Sequence, residues 1–389
     1  MRIFYYTWNE NSAKDLEESL ARLGVSVVKC YIPLKNYEED EEFYENFTRI
    51  FREHSCELIF SFDFFPIIAK IAEELRVNYL SWVYDMPHHT IYSPAARGEY
   101  TWLFLFDREQ AARMEAVRSG HVCYLPLAVH AKRINTQLAI PESGIYDQNY
   151  DREISFVGSL YEKNLYRQIS YLPEYLRGYL QGIMEAQQKI YGYHMTEDVL
   201  DESVLEELKK YVRMDLDPSY AVDRKELYLD MIDAEITCQE RIRLLEMLAE
   251  HFPVSLYTAS DPGLVPNAAY GGTVSYDREM PELFRTSKIN LNITLRSIRH
   301  GIPLRALDIM GAGGFLLSDY QPGLADEFEN GREMVLFESR EDLLEKTAYY
   351  LEHDTERREI ALRGWKKIQR DYSYEVQLRK MFAACGIVL

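Results

Sequence analysis

Hydrophobic and polar positions alternate along residues 1–130 in a way that predicts repeated strand and helix units. Short apolar runs typical of buried strands are separated by stretches whose apolar residues recur at helical spacing. The predicted strands are 2–7, 25–28, 58–61, 77–83, 103–106 and 122–125, and the predicted helices are 11–23, 43–54 and 66–75. Because strands and helices in this alternation form parallel sheets covered by helices, the pattern predicts an α/β domain.

The same alternation returns in the second half of the chain after a long helical stretch. A strand at 154–159 precedes a tyrosine-rich helical region at 165–190, and further helix is predicted to about 250, with the acidic residues 196–208 as its solvated part. The later predicted strands are 254–258, 289–293, 315–318 and 334–337, and the helices are 280–285, 303–310, 342–353 and 356–370. A second parallel-sheet domain follows from this pattern.

A segment without periodicity separates the two halves. Residues 132–152 contain Pro141, Gly144 and several polar side chains, which favours a linker. We therefore expect a first domain at 1–130, a linker at 131–152, and a second domain at 153–372 with a helical insertion at about 161–250. Residues 373–389 are expected to form a last helix that returns to the first domain.

Length and charge narrow the classes of function. A chain of 389 residues fits two domains, and its formal net charge of −19 argues against nucleic acid or an anionic membrane surface as a partner. Five dispersed cysteines without a CxxC pair argue against a disulfide framework or a thiolate zinc site. The sequence has no apolar run of about 20 residues and its start does not resemble a secretory signal, so we expect a cytoplasmic protein without stable membrane insertion. The oligomeric state stays open.

The stretch 287–319 carries the most informative chemistry. Its predicted strand leads into a polar turn with Arg296, Arg299 and His300, and a helix is expected to begin near Pro303. Free backbone N–H groups and the positive end of the helix dipole, flanked by cationic side chains, favour a phosphate site there. Asp308, in the second turn, is placed to accept hydrogen bonds from a ribose.

Two simpler interpretations compete with this one. The arginines could belong to an ordinary solvated turn before an amphipathic helix. The glycines at 311–314 resemble a dinucleotide fingerprint, but that motif follows a strand and opens a helix, whereas these glycines end a helix and precede a strand. They fit a helix C-cap and a tight turn, which argues against a dehydrogenase.

Motifs in a fixed order along nearly the whole chain resemble the CgeB-like, group 1 type glycosyltransferases. In the second half these are Arg305 with Asp308, then 313–314, 318–319, and 350–353 with 357–358. In the first half they are 81–87 and 124–129, and 156–159 resembles the usual opening of the donor domain. Each motif is modest alone, but their order is specific.

The resemblance implies a GT-B architecture, in which two Rossmann-like domains face a cleft. It implies a glycosyltransferase of hexosyltransferase type, with the nucleotide-sugar donor in the C-terminal domain and the acceptor in the N-terminal one. The two acidic positions of better-known group 1 enzymes correspond to His300 and Asp308. Asp308 keeps a carboxylate for the ribose, whereas His300 replaces the acid and leaves the sugar contact, and retention or inversion, open.

The same resemblance sets the expected donor site. We expect a metal-independent reaction that uses a UDP- or GDP-sugar and no further cofactor, with the diphosphate stabilised by backbone dipoles and fixed cations. The expected cradle comprises Gly158, Ser159, Gly301, Ile302, Pro303 and Arg305, with Arg296 or Arg299 assisting. Tyr257, at the end of a strand, is expected to flank the base.

In the first domain, Asp85 and His88 follow a predicted strand end, where ligands gather in parallel sheets. Asp85 is a candidate general base or sugar-hydroxyl ligand, and His88 a candidate contact to the diphosphate or sugar. The alternative for Asp85 is an ordinary loop-capping role. Asp63, which ends the preceding strand, is a lesser candidate.

Two questions stay open at this level. The acceptor could be a protein or a cell-surface glycan, and the sequence does not choose the sugar or the nucleobase. The chain could instead be a catalytically inactive module with the GT-B fold that binds nucleotides or glycans.

Overall fold

A computed structural model describes residues 1–117, 120–144, 149–214 and 216–389 of the chain. These residues form two compact units. The first comprises Met1–His130, Leu216–Val222 and Asp371–Leu389, and the second comprises Ala131–Asp215 and Asp223–Arg370. Each unit is built on a six-stranded parallel sheet.

The described helices and strands follow one another in the predicted alternation. Up to residue 137 they are β1 (Arg2–Tyr6), α1 (Ala13–Arg22), β2 (Ser26–Cys30), α2 (Glu41–His54), β3 (Leu58–Phe62), α3 (Pro66–Leu75), β4 (Tyr79–Val83), β5 (Thr101–Leu105), α4 (Arg108–Val117), β6 (Val122–Tyr124) and α5 (Ala131–Gln137). The remainder are β7 (Arg152–Val157), α6 (Glu174–Gln187), α7 (Met195–Val199), α8 (Glu202–Leu208), α9 (Arg224–Ala249), β8 (Val254–Tyr257), β9 (Ala269–Tyr270), α10 (Glu279–Thr286), β10 (Ser287–Asn292), α11 (Leu304–Gly311), β11 (Leu316–Asp319), α12 (Pro322–Glu327), β12 (Val335–Phe337), α13 (Arg340–Glu352), α14 (Asp354–Asp371) and α15 (Tyr374–Ala384).

The sheet of the first unit has the strand order β2-β1-β3-β4-β5-β6. Ile3 of β1 pairs with Val27 on one side and with Leu58 on the other. Every residue of β3 and β4 is buried, as expected for strands covered by helices on both faces. On one face, Leu378 and Phe382 of α15 pack in the same apolar core as β1 and α1.

The sheet of the second unit has the order β12-β11-β10-β7-β8-β9. Its core joins the apolar residues of the strands to those of α9, α13 and α14. The 26-residue helix α9 is apolar on several sides because its two halves enter two different cores. Its first half packs with α6 and α8, and its second half packs on the sheet.

The predicted strands and helices are largely confirmed, with boundaries shifted by a few residues. The helix expected from 165 begins only at Glu174, because Pro173 precedes it and a proline disfavours helical backbone at the residue before it. Four of the described elements were not predicted, namely α4, α5, β9 and α12.

The linker interpretation of 131–152 needs correction at its beginning. Residues Ala131–Gln137 form α5, whose Ala131 and Ile134 are buried. This helix has only seven residues, too few for a clear periodic signal. Residues 145–148 of the expected linker lie outside the described residues.

The helical insertion also departs from the prediction. Residues Leu216–Val222, between α8 and α9, belong to the first unit, and the backbone N–H of Ala221 donates to the carbonyl of Tyr92.

None of the helices in the described part of the chain has the length and apolarity needed to span a bilayer.

Candidate functional site

The strand order of the second unit creates a crevice between β7 and β10. From β7 the chain proceeds outward through β8 to β9, and then returns to build β10, β11 and β12 on the other side. At such a reversal the loops after two neighbouring strands diverge, and ligands bind between them at the carboxyl edge. Gly158 and Ser159 follow β7, and the loop from Ile293 to Pro303 follows β10, so the two expected parts of the cradle end on neighbouring strands.

The N-terminus of α11 lies at the end of this second loop. Pro303 is the N-cap residue, and no side chain caps the helix. The N–H groups of Leu304 and Arg305 donate to no group among the described residues, whereas the N–H of Ala306 donates to the Pro303 carbonyl at 3.0 Å. Both residues are half-buried. Two amides and the positive end of the helix dipole therefore remain for an anion.

Arg305 and Asp308 project from the first two turns of α11. The Arg305 side chain is 27% exposed, contacts the sulfur of Met280, and lies 3.6 Å from an Asp308 carboxylate oxygen. The hydroxyl of Tyr276 donates to the other Asp308 oxygen at 3.1 Å. Arg305 can therefore reach a ligand, whereas Asp308 is largely buried and already accepts a hydrogen bond.

Arg241 of α9 was not identified from the sequence. Its guanidinium is buried, and it donates to the Ser159 carbonyl at 2.6 Å and to the Ile293 carbonyl at 3.1 Å through Nε. These carbonyls follow β7 and β10, so one side chain joins the two loops of the crevice. Burial lowers the pKa of Arg241, and the nearby Arg305 charge acts in the same direction. A buried guanidinium held by neutral carbonyls adds positive potential to the crevice.

Arg296 and Arg299 have partners that the sequence did not predict. Arg296 forms a two-pronged ion pair with Glu240 of α9, with N–O distances of 2.9 and 2.5 Å. Arg299 pairs with Glu197 at 2.6 Å and with Glu226 at 3.2 Å. These carboxylates offset the arginine charges, so the expected role of assisting the diphosphate gives way to one of fastening the loop to the helical insertion.

A buried carboxylate also holds the start of the loop after β10. Asp319, at the end of β11, accepts hydrogen bonds from the backbone N–H of Thr294 at 2.9 Å and from its hydroxyl at 2.8 Å. Burial, followed by the nearby Glu240 charge, raises the pKa of Asp319 to about 6, and Arg296 opposes that shift.

The remaining predicted donor residues lie in different settings. Ser159 Oγ accepts from the N–H of Tyr161 at 2.9 Å, which shapes the turn after β7. The hydroxyl oxygen of Tyr257 accepts a hydrogen bond from Nε of Arg152, at the beginning of β7, at 2.6 Å. Since the crevice lies at the other end of that strand, this contact does not favour Tyr257 as the residue that flanks the base.

The turn before α11 is tightly packed. Gly301, Ile302 and Pro303 are buried, and a Cβ added at Gly323 of α12 would lie 2.7 Å from the Gly301 carbonyl oxygen. His300 places Nε2 at 2.7 Å from the Asp326 carboxylate and is 34% exposed. Gly301, Ile302 and Pro303 therefore shape the turn, and Arg305 is the partly exposed cation beside it.

In the first unit, Asp85 and His88 both lie beside Asp63. Asp63 Oδ1 accepts from the backbone N–H groups of Tyr84 and Asp85 at 2.9 and 3.1 Å, and it lies 4.0 Å from Nδ1 of His88. His88 Nε2 faces the Phe64 amide at 3.0 Å. Asp85 is an exposed residue, yet desolvation of its carboxyl group raises the pKa of Asp85, and the Asp63 charge adds to that shift. Asp63 therefore caps the loop, a role considered for Asp85.

Within the described residues, no group of three or more histidine, cysteine, aspartate or glutamate side chains is arranged to hold a metal ion. Taken together, the groups that line the candidate donor crevice are Arg241, Arg305, the two amides of α11 and the turn after β7.

Comparison with known proteins identifies the fold. Residues 235–383 match the family described as glycosyl transferase-like, a segment that contains α11 and most of α9. No curated protein sequence matches the chain significantly.

Solved structures resemble the chain over its whole length. Sucrose-phosphate synthase from Thermosynechococcus elongatus is 12% identical with a TM-score of 0.54, covering 99% of this chain and 100% of that one. HepE from Anabaena, solved with UDP and glucose, is 8% identical with a TM-score of 0.54, covering 99% of both chains. WaaG, a glycosyltransferase involved in lipopolysaccharide biosynthesis, is 13% identical with a TM-score of 0.51, covering 99% of this chain and 100% of that one. The predicted GT-B fold is confirmed.

Proposed function

We propose that this protein is a glycosyltransferase that transfers a sugar from a nucleotide-diphosphate sugar to an acceptor hydroxyl. The observation that carries the proposal is the uncapped N-terminus of α11, where the amides of Leu304 and Arg305 have no acceptor among the described residues and Arg305 carries a partly exposed guanidinium. A departing diphosphate gains negative charge, and fixed dipoles and cations stabilise that charge. The family match over 235–383 supports this assignment, because it includes the whole of α11.

The finer features of the function are part of the same proposal. We assign the chain to the CgeB-like subfamily and expect hexosyl transfer in the cytoplasm, to a protein or cell-surface glycan, without a metal ion. Arg241, Arg305 and the two amides would supply the positive charge. The HepE structure, which was solved with UDP and glucose, makes UDP-glucose the first donor to test.

One substitution tests the helix N-terminus directly. Leu304→Pro removes a single amide donor at the first helical position, where proline is tolerated. Pro303 has φ −64° and ψ 137°, a conformation that a following proline accepts. Since a hydrogen bond to a charged group contributes about 1.5–3 kcal/mol, UDP affinity should fall about tenfold or more.

Leu304→Ala is the matched control, because it shortens the same side chain and keeps the amide. Isothermal titration calorimetry with UDP should give nearly wild-type affinity for this control. Equal affinities for the proline and alanine variants would show that the Leu304 amide does not bind the diphosphate.

Arg305→Ala tests the cationic side chain, with Arg278→Ala as its control. Arg278 lies in the same unit, and its side chain is 82% exposed. We expect a tenfold or greater loss of UDP affinity for the first variant only, from the loss of a charged hydrogen bond. If both variants bind UDP equally, the assigned role of Arg305 is wrong.

A separate measurement distinguishes transfer from binding alone. Incubation with UDP-glucose, GDP-mannose and related donors, without acceptor, should release free sugar slowly from the donor that is used. A nucleotide-binding module with the same fold would raise its melting temperature with that nucleotide and release no sugar.

A further inference from the structure

The first unit has its own crevice at the point where strand order reverses. The chain places β2 on one side of β1 and then β3 to β6 on the other side. The carboxyl ends of β1 and β3 therefore border a gap between diverging loops, which is where ligands bind in open parallel sheets. The loop after β1 contains Trp8 and Glu10, and β3 is followed by Asp63.

Both loops have a backbone shaped for this edge. Asn9 and Asp63 adopt positive φ values of 72° and 55°, a conformation that residues with side chains rarely take. Asp63 is held in place by the backbone N–H groups of Tyr84 and Asp85, which both donate hydrogen bonds to its carboxylate. Its carboxylate is thereby fixed between the ends of β3 and β4.

Glu10 has a buried oxygen without a hydrogen-bond donor. The residue is 9% exposed, and its Oε2 accepts from the Thr7 hydroxyl and from the Trp8 N–H, both at 3.0 Å. Its Oε1 receives no hydrogen bond from any described residue. Burial raises the pKa of Glu10, and the Asp63 charge raises it further, which places the two carboxylates in one electrostatic environment. An unsatisfied buried acceptor of this kind is costly unless a ligand supplies the donor.

The neighbouring cations do not neutralise this edge. Lys29, the cation that acts on Glu10, is paired with Glu17 at 2.6 Å. His88 lies 4.0 Å from Asp63, but its Nε2 is engaged with the Phe64 amide. Asp85 adds a third carboxylate beside Asp63. The edge is therefore rich in hydrogen-bond acceptors and negative in charge.

We propose that the edge formed by Glu10, Asp63 and Asp85 binds the acceptor, and that this acceptor is a hydroxyl-rich molecule bearing a protonated amine, such as an amino sugar. The amine and hydroxyl groups donate to the three carboxylates. The Trp8 side chain, 41% exposed in the same loop, offers a face for a sugar ring or a cation. The role of the bound molecule as the acceptor rests on the proposed transfer reaction, whereas its binding to this edge is measured independently of that reaction.

The test compares two probes that differ in one group. Methyl glucosaminide carries an ammonium where methyl glucoside carries a hydroxyl. At pH 7 and low salt, titration calorimetry or ligand-observed NMR should show that the amino sugar binds about tenfold more tightly than the neutral one. Glucose 6-phosphate should bind more weakly than either, because its charge is repelled.

The double variant Glu10→Gln with Asp63→Asn removes two charges and keeps the accepting oxygens. Asparagine also tolerates positive φ, so the loop after β3 can keep its shape. The tenfold preference should fall to within about twofold, and Glu10→Gln alone should lower it partway if the double variant does not fold. The control is Glu53→Gln with Glu57→Gln, two exposed residues of the first unit, which should keep the full preference.

Three results would overturn the inference. They are equal affinity for the charged and neutral glycosides, stronger binding of the phosphate ester, or a preference that survives in the double variant. UDP binding by the wild type is measured in the same preparation. If UDP does not bind but the amine preference is present, the proposed transfer reaction fails while the cation site stands.

Discussion

The ion pair between Arg296 and Glu240 is buried between α9 and the loop that follows β10. The Arg296 side chain is 9% exposed and that of Glu240 is 2% exposed. Replacing Glu240 with alanine leaves a buried guanidinium whose other contacts are the Ile190 carbonyl at 3.2 Å and the Tyr191 ring at 4.8 Å. Removal of one partner from a buried pair costs about 3–5 kcal/mol.

Because Asp319 lies near the pair, we expect the loss in free energy of unfolding to be at the lower end of that range. Its carboxylate already acts on Arg296, and its raised pKa is due in part to Glu240. Without Glu240, the Asp319 carboxylate, which is ionised at neutral pH, still partly neutralises the arginine. We therefore expect a loss of about 3 kcal/mol, equivalent to a fall of roughly 6–12 °C in the melting temperature of a unit of this size.

Urea unfolding and calorimetry of the full chain measure this change, with Glu359→Ala as the control. Glu359 pairs with Arg363 on an exposed helix surface, with side chains 57% and 43% exposed, and such pairs contribute about 0.3–0.5 kcal/mol. The combined variant Glu240→Leu with Arg296→Met should recover most of the stability, because it removes both buried charges. If Glu240→Ala is as mild as the control, or the combined variant is no more stable than Glu240→Ala, the electrostatic reasoning is wrong.

Three further predictions concern the groups around the crevice. Arg241→Gln should weaken UDP binding about tenfold or more in calorimetry, because the loops after β7 and β10 lose their shared donor, and unchanged affinity would contradict that role. Because the pKa of Asp319 is raised, this carboxyl is ionised above about pH 4 in the unfolded chain but stays neutral up to about pH 6 in the folded chain. The free energy of unfolding therefore decreases as the pH rises through that interval, by about 3 kcal/mol in all. Asp319→Asn should therefore gain in melting temperature relative to wild type between pH 4.5 and 7.5, whereas a constant difference would show that the shift is absent. Gly323→Ala should lower stability by about 1–3 kcal/mol in urea unfolding and weaken UDP binding, since its Cβ would displace the Gly301 carbonyl, and wild-type behaviour would show that the turn yields freely.

The strands and the helix at 304 could be predicted because their signals are local. β3 and β4 are short runs of apolar residues, each interrupted by a single serine, and Pro303 marks the start of α11 in the sequence itself. The reversal of strand order between β7 and β10 could not be read directly, since pairing between distant strands leaves no local pattern. It follows instead from the resemblance to a known fold.

The partners of the side chains at the site could not be predicted from the sequence either, because they are distant from one another along the chain. Arg296 and Arg299 stand in a polar turn and resemble free cations, but their carboxylate partners lie 56, 102 and 73 residues away along the chain. Arg241 occurs in a helix with many charged residues, and no spacing marks the one guanidinium that turns inward. An arginine within an otherwise buried stretch of α9, four residues before the apolar Leu245, is the weak signal that was available.

The division of the first unit into three separate stretches affects how the chain acquires its structure during synthesis. Helix α15 supplies Leu378 and Phe382 to one face of the first sheet, yet these residues are synthesised after every residue of the second unit. A nascent chain that ends near residue 130 exposes the apolar side chains of β1, β3 and β4 on that face. The second unit can close around its own core earlier, so the first unit completes its core only after the second unit has been synthesised.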